Sequence, residues 1–415
     1  MRNDDSYDLI RFYRNFINNL EKESNHYKDV QALEELQEIL FTLIKNENPS
    51  ITNIKKQLQK IRTNYEQEES DENDLIAANG IKEDIQLFLE DDTTIYLGKL
   101  IGSGAEGNIY RVSSMPGKLA KIYRRRKDMV EREAKLQTFL DANIASEIDD
   151  EKVLCIPKHI VYTSKHEFIG FIMDEIAIDK MIYDMFRSNK LNYKDKIAIA
   201  YNLAEVFAYI HEHHMIIGDI NFNNICVQEN GQIVMIDVDS FTITNDKTNI
   251  TYHCPVTNLE VAAPEIQMID GEVKGFLTTE SDDFALANMI FRLLMNGANP
   301  FGFVSKDKMY SHAFVTNYDK NIATGCCVYV KDIEHKQIPE WAPGFQMLSD
   351  EIKTLFKRAF DYDEHTFQER IKNRPTAKEW KEALLHFYQL PMKQCKKDPL
   401  HFYRKELDVC PFCKK

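Results

Sequence analysis

Apolar residues recur at helical spacing through the first 66 residues. Leu9, Phe12, Phe16 and Leu20 form one set, Leu33, Leu36, Leu40 and Leu43 a second, and Ile54, Leu58, Ile61 and Tyr65 a third. Steps of three and four put each set on one helix face. Asn48-Pro49-Ser50 separates the second from the third,. Such short stripes need partners, so residues 1–66 are expected to form a helical hairpin or bundle domain. Residues 67–92 read as an acidic linker, with Ile85–Leu89 a candidate short helix. From about residue 93 the pattern turns to strands. Thr93–Ile101 and Ile109–Val112 flank a glycine-rich turn, and Leu119–Tyr123 follows,. Helical periodicity returns over Val130–Leu140, from Lys194 onward, and over 281–295, 348–360 and 376–389. Between them, Asn230-Gly231 marks a hairpin joining Ile225–Gln228 to Ile233–Ile236,. Strands first and helices later predict an α+β fold.

Charge refines this division. The 415 residues carry 52 Lys/Arg against 66 Asp/Glu, a net of −14, with 43% hydrophobic and 28% charged residues. That mix is ordinary for a globular chain. The acidic balance argues against a nucleic-acid binder. Residues 1–92 hold 11 of the basic and 21 of the acidic residues, so most of the excess sits there. A basic partner of this acidic arm is therefore expected. No apolar run reaches the roughly 18 residues of a membrane span. The N-terminus lacks the pattern of a secretory signal, so a cytoplasmic location, with its eight cysteines reduced, is expected,.

The chemistry clusters after residue 100. Gly102, Gly104 and Gly107 fit G-x-G-x-x-G. They lie between two strands rather than between a strand and a helix. That disfavours a dinucleotide-binding turn and suits backbone amides folded over phosphates. Lys121 follows on the third strand, in reach of phosphate oxygens. A helical carboxylate should pair with it, and Glu133 is preferred over Glu131. Asp219 and Asn224 show the D-x-x-x-x-N spacing of a phosphoryl-transfer loop,. There the Asp takes the proton of an incoming hydroxyl and the Asn ligates magnesium. Asp237, after the hairpin, is the second candidate for magnesium or manganese,.

Residues 95–389 together resemble a eukaryotic-like (Hanks-type) protein kinase domain. Ala263-Pro264-Glu265, Asp282-Asp283-Phe284-Ala285-Leu286, Asn299-Pro300-Phe301 and Arg374-Pro375 carry the likeness further. The resemblance implies a bilobal fold, with a β-rich lobe over about 93–173 and a helical lobe over about 177–389. It implies an Arg374–Glu265 pair, an Asp282 that braces the catalytic loop, and adenine contacts from the backbone of Glu175 and Ile176. A bacterial subgroup, the kinases of tellurite-resistance-type phosphorylation clusters, is similar in more detail. Its signature appears here as Ala120–Tyr123, Gly170–Met173, Ile217–Asn224, Ile236–Phe241 and a closing Cys410-Pro411-Phe412-Cys413. The likeness implies ATP- and magnesium-dependent phosphorylation of Ser/Thr on protein substrates. Three departures stand out. Gly218 replaces a customary arginine, Asn221 a customary lysine, and Asp239 a customary glycine. They keep two alternatives open, a small-molecule phosphotransferase and a nucleotide-binding pseudokinase scaffold.

Residues 390–415 contain Cys395, His401, Cys410 and Cys413. Three thiols and one imidazole ending in a C-x-x-C turn predict a structural zinc knuckle. His211, His213 and His214 precede the catalytic loop and are expected to interact with a helix C-terminus rather than a metal,.

Overall fold

In the computed structural model, the described residues are 83–413, apart from 105, 125–127, 150, 256, 270–271, 274–276, 306–313, 316–317 and 363–365. The expected helical domain and the linker up to residue 82 lie outside them. Six strands close into a barrel: β1 (Gln86–Leu89), β2 (Thr94–Ser103), β3 (Gly107–Val112), β4 (Lys118–Tyr123), β5 (His159–Tyr162) and β6 (Phe168–Asp174), in the order β1-β2-β3-β4-β6-β5. Helix α1 (Met129–Ala142) follows β4.

The first strand corrects the helix expected over Ile85–Leu89. Gln86, Leu87 and Phe88 pair antiparallel with Tyr96, Ile95 and Thr94, and Phe88 and Leu89 pair with Tyr162 and Val161 of β5. Leu87 and Leu89 are buried, with Gln86 exposed and Phe88 half-buried between them. That alternation is the two-residue period of a strand, and four residues are too few to separate it from a helical stripe by sequence. The β-rich lobe thus begins before residue 93.

After the barrel come α2 (Ile182–Phe186) and α3 (Tyr193–Glu212), then a hairpin of β7 (Ile225–Val227) and β8 (Ile233–Met235), then α4 (Thr279–Leu294), α5 (Asp350–Phe360) and α6 (Ala377–Gln389). Helix α3 starts on a reciprocal cap between Asn192 and Asp195, which satisfies amides with no partner inside the helix,. Helix α4 is buried over nearly its whole length. Phe284 and Phe291 on α4 meet Phe301, Phe356 and Phe360 in edge and tilted contacts, and Trp380 packs in turn on Phe356. This core fixes the helical scaffold on which the polar loops sit. A final hairpin, β9 (Met392–Gln394) and β10 (Phe402–Arg404), carries the tail cysteines.

Residues 103–108 and 123–124 group apart from this body. Within that group Gly104 N–H donates to Gly107 O at 2.9 Å and Arg124 N–H to Glu106 O at 2.9 Å. The Arg124 guanidinium also donates to Ser103 Oγ and Asn108 Oδ1. The first residue of the basic run 124–127 is therefore spent on tying the glycine turn.

Candidate active site

Lys121 sits near the middle of β4, paired with Phe171 of β6. Gly170 makes that pairing possible: a Cβ there would fall 2.0 Å from Lys121 O. The Lys121 side chain is 6% exposed. Its ammonium donates to both oxygens of Asp239 at 2.8 Å and to Asp237. Burial alone would lower the lysine's pKa, but the two carboxylates outweigh it and raise the pKa above its ordinary value,. Asp237 has φ +64° and opens a short 3-10 turn over Val238–Ser240. The turn folds Asp239 back toward the lysine, with its side chain 4% exposed.

The carboxylate expected for Lys121 is engaged elsewhere. Glu133 accepts a 2.6 Å hydrogen bond from the Tyr162 hydroxyl. Burial and this bond together raise the Tyr162 pKa. Glu131 is exposed in the first turn of α1. Helix α1 reaches the Asp237 segment through Lys135, whose ammonium donates to Ser240 O at 3.0 Å.

The catalytic-loop candidates lie between α3 and β7. Asp282 accepts from the N–H of Ile217 at 2.7 Å and of Gly218 at 3.0 Å. One buried carboxylate thus fixes the backbone just before Asp219. Gly218 has φ +70°, and a Cβ would lie 2.8 Å from Cys254 Cβ and 2.9 Å from Leu277 Cδ1. Crowding and the left-handed backbone both favour glycine over the customary arginine here,. Asn221 accepts from Asn223 N–H, Asn224 N–H returns to Asn221 O at 2.9 Å, and Ile236 N–H donates to Asn224 O at 2.9 Å. Asn221 is thereby a turn former, and the hairpin brings the residue before Asp237 against Asn224. Both Asn224 and Asp237 offer oxygen donors, which suit a hard divalent cation.

Downstream residues clamp this loop. Thr257 Oγ1 donates to Gly218 O at 3.1 Å and Asn258 Nδ2 to Ile220 O at 3.2 Å. Arg292 of α4 is buried, pairs with Glu260 at 2.8 Å and lies 5.0 Å from the Phe222 ring centre. Arg374 and Glu265 form a buried two-pronged pair at 2.5 and 2.6 Å. Sequence reasoning missed Thr257, Asn258 and Arg292, which carry no spacing signal. His211 lies in the last turn of α3, as expected, and His213 bonds that helix end, with Nδ1 2.8 Å from Tyr209 O. The His211 ring also faces Asp282 at 3.3 Å and Asp283 at 3.7 Å. Burial opposes its charge, yet the aspartates raise its pKa overall. Asp283 is pushed up to about 7, mainly by burial.

At the junction of the lobes, Glu175 N–H is already given to Gly117 O at 2.8 Å, and its carboxylate pairs with Arg111. Met173, Ile176, Met181 and Ile236 pack around buried Cys155, Cys226 and Val234, an apolar cluster that includes the residue after Glu175.

In the tail, one donor atom from each of Cys395, His401, Cys410 and Cys413 lies within 4.8 Å of the others. Cys395 and Cys413 sulfurs are 3.6 Å apart, and His401 Nδ1 is 3.4 and 3.8 Å from Cys413 and Cys410 sulfurs. A tetrahedron with bonds of about 2.3 Å has edges near 3.8 Å. The four donors fit that shape. Lys397 N–H donates to Cys395 Sγ, and His401 Nε2 lies 3.5 Å from Asp398, contacts of the kind that orient metal ligands.

Among the described residues no helix is long and apolar enough to cross a membrane. A family model described as "Protein kinase domain" matches residues 96–386. The chain is 28% identical over 347 residues to "Protein kinase YegI" of Escherichia coli strain K12, covering 80% of this chain and 50% of that protein. It is 27% identical over 329 residues to the protein of the same name from Escherichia coli O157:H7, covering 76% and 48%. The chain spans about half the length of these curated relatives.

Proposed function

The chain belongs to the protein kinase domain family, and from that premise we propose that it transfers the ATP γ-phosphoryl group to Ser or Thr hydroxyls of protein substrates, its own among them. One observation carries the reading. Lys121 and Asp237 are 116 residues apart, yet they share an ion pair. That contact joins the phosphate-gripping and metal-binding halves of a phosphoryl-transfer site. Asp219 takes the hydroxyl proton. Asn224 and Asp237 hold magnesium or manganese, which supplies charge neutralisation on the phosphates. Lys121 grips the phosphates, and Asp239 is the carboxylate that positions it; Glu133 is the alternative holder. Gly102, Gly104 and Gly107 are assigned to the phosphates on their spacing. The Glu175 carbonyl and the backbone of Ile176 are assigned to adenine, with Ile176 part of the apolar cluster. Asp282, Glu265 and Arg374 are scaffolding.

The test is phosphate incorporation with ATP and magnesium into the protein itself, generic protein substrates and small alcohols, beside Asp219→Ala. Label on Ser/Thr of protein, abolished in the variant, is expected. Transfer only to small alcohols favours the small-molecule phosphotransferase. No turnover in either form favours the scaffold reading.

The tail is proposed as a structural zinc knuckle. The I-G-D-x-N-x-x-N run at Ile217–Asn224 and the closing cysteine pair of the tail support kinship with the tellurite-resistance-associated subgroup. Elemental analysis is expected to find about one zinc per chain, lost in Cys410→Ser. Metal-free protein from zinc-supplemented medium overturns this. The acidic segment 1–92 is proposed, on its charge, to meet a basic partner. Binding to a basic peptide that is unaffected by salt would count against it.

A further inference from the structure

A cavity of about 160 Å³ opens where the start of α3 meets the end of α4 and the cysteine-bearing tail. None of its lining residues belongs to the candidate active site. Its walls include Arg187, Tyr193, Lys196, Asn296, His401 and Phe412.

Three of these side chains are donors in search of an acceptor. Lys196 is 4% exposed. Its ammonium donates to Phe186 O at 3.2 Å and Asn296 Oδ1 at 2.8 Å. An ammonium has three N–H groups, and no carboxylate is bonded to this one among the described residues. Burial alone lowers its pKa to about 8, so the fold holds a cation there without a counter-charge. Tyr193 is also 4% exposed. Its hydroxyl has no hydrogen-bond partner among the described residues. The ring is held edge-on by Phe387 at 6.3 Å and by Phe412 of the tail at 5.0 Å. Arg187 lies 4.6 Å over the Trp341 ring, a contact that orients its guanidinium without neutralising it,. The one acid in the lining, Asp398, faces His401 at 3.5 Å.

Among the described residues, two cations without a carboxylate partner and one unpaired buried hydroxyl line the same cavity. Buried polar groups are rarely left so, and each exception calls for an explanation such as a water, an ion or a ligand. We propose that this cavity binds a small organic oxyanion, a phosphate monoester or a carboxylate, whose oxygens accept from Tyr193, Lys196 and Arg187. Size sets the limit. A cavity of about 150 Å³ takes a benzene-sized molecule, so the ligand has on the order of six to ten heavy atoms. A nucleotide is too large. Because Phe412 and His401 form one wall, the ligand also bridges the tail to the helical lobe.

The experiment is calorimetric titration and thermal melting of the full chain with glycerol 3-phosphate and, separately, malonate. Saturable binding of at least one, with a raised melting temperature, is expected; the tighter probe identifies the headgroup. Tyr193→Phe decides the matter. Removing an unpartnered buried hydroxyl leaves the protein without probe as stable as before, or more so. The same change should weaken the probe at least about tenfold. Arg187→Gln, on the surface side, should weaken it similarly. Lys196→Met also strands the Asn296 and Phe186 oxygens, so its failure to fold would decide nothing, and the tyrosine variant carries the test. The proposal is overturned if neither probe saturates. It is equally overturned if both bind Tyr193→Phe and Arg187→Gln as tightly as the wild type, which would assign the binding to another site.

Discussion

Replacing Asp239 by Asn tests what holds Lys121. The substitution keeps shape and removes one charge. Asp239 supplies two of the lysine's bonds, both at 2.8 Å, and the two side chains are only 4% and 6% exposed. Removing one partner of a buried ion pair costs about 3–5 kcal/mol when the other charge is left alone. Here Asp237 stays bonded to the lysine. About half the penalty, some 2 kcal/mol, is therefore expected. If the lysine's position matters equally in the transition state, kcat/KM falls about 30-fold, since about 1.4 kcal/mol is one decade. Glu133→Gln weakens only the hydrogen bond to Tyr162, worth about 1 kcal/mol, and kcat/KM should fall by less than about tenfold. Steady-state phosphate transfer and urea unfolding of both variants measure these effects. A fully active Asp239→Asn beside a crippled Glu133→Gln would refute the assignment and restore Glu133 as the lysine's holder.

Two further perturbations follow from the catalytic loop and its brace. Gly218→Ala puts a Cβ on a φ of +70° and 2.8 Å from Cys254 Cβ; left-handed strain and overpacking together should cost about 3 kcal/mol in urea unfolding. An unchanged midpoint would show that Cys254 and Leu277 yield freely. Asp283 binds its proton more tightly folded, with a pKa pushed up to about 7, than unfolded near 3.8. Its stabilising contribution is therefore complete below about pH 4 and is lost as pH rises to 7. His211, also raised, adds a loss of the same sign above its unfolded value of 6.5. Asp283→Asn should flatten the stability–pH curve between pH 4 and 7; parallel curves would contradict this.

Candidates for the site are legible because phosphoryl transfer demands residue types at fixed spacings. Lys121, Asp219, Asn224 and Asp237 follow from spacing, and Asp282 and Arg374 from the resemblance. The structure gives Asp282 and Arg374 the partners that the resemblance implied. The choice among neighbouring carboxylates is less legible. Whether Glu131, Glu133 or Asp239 meets a lysine depends on a 3-10 turn at Asp237, which no periodicity reveals. The His211–Asp282 contact spans 71 residues and depends on how α3 packs beside α4, so a helix-end rule could not anticipate it. Residues 86–89 were misread because four alternating residues fit both a strand and part of an amphipathic turn.

That short strand has a wider consequence. By pairing with both β2 and β5 it closes the barrel. A closed barrel offers no row of unpaired amides and carbonyls to another chain. Partners that recognise proteins by adding a strand to an exposed edge find none on this barrel among the described residues,. Whatever engages it must read side chains instead, and removing residues 86–89 would create the sticky edges that the intact fold denies.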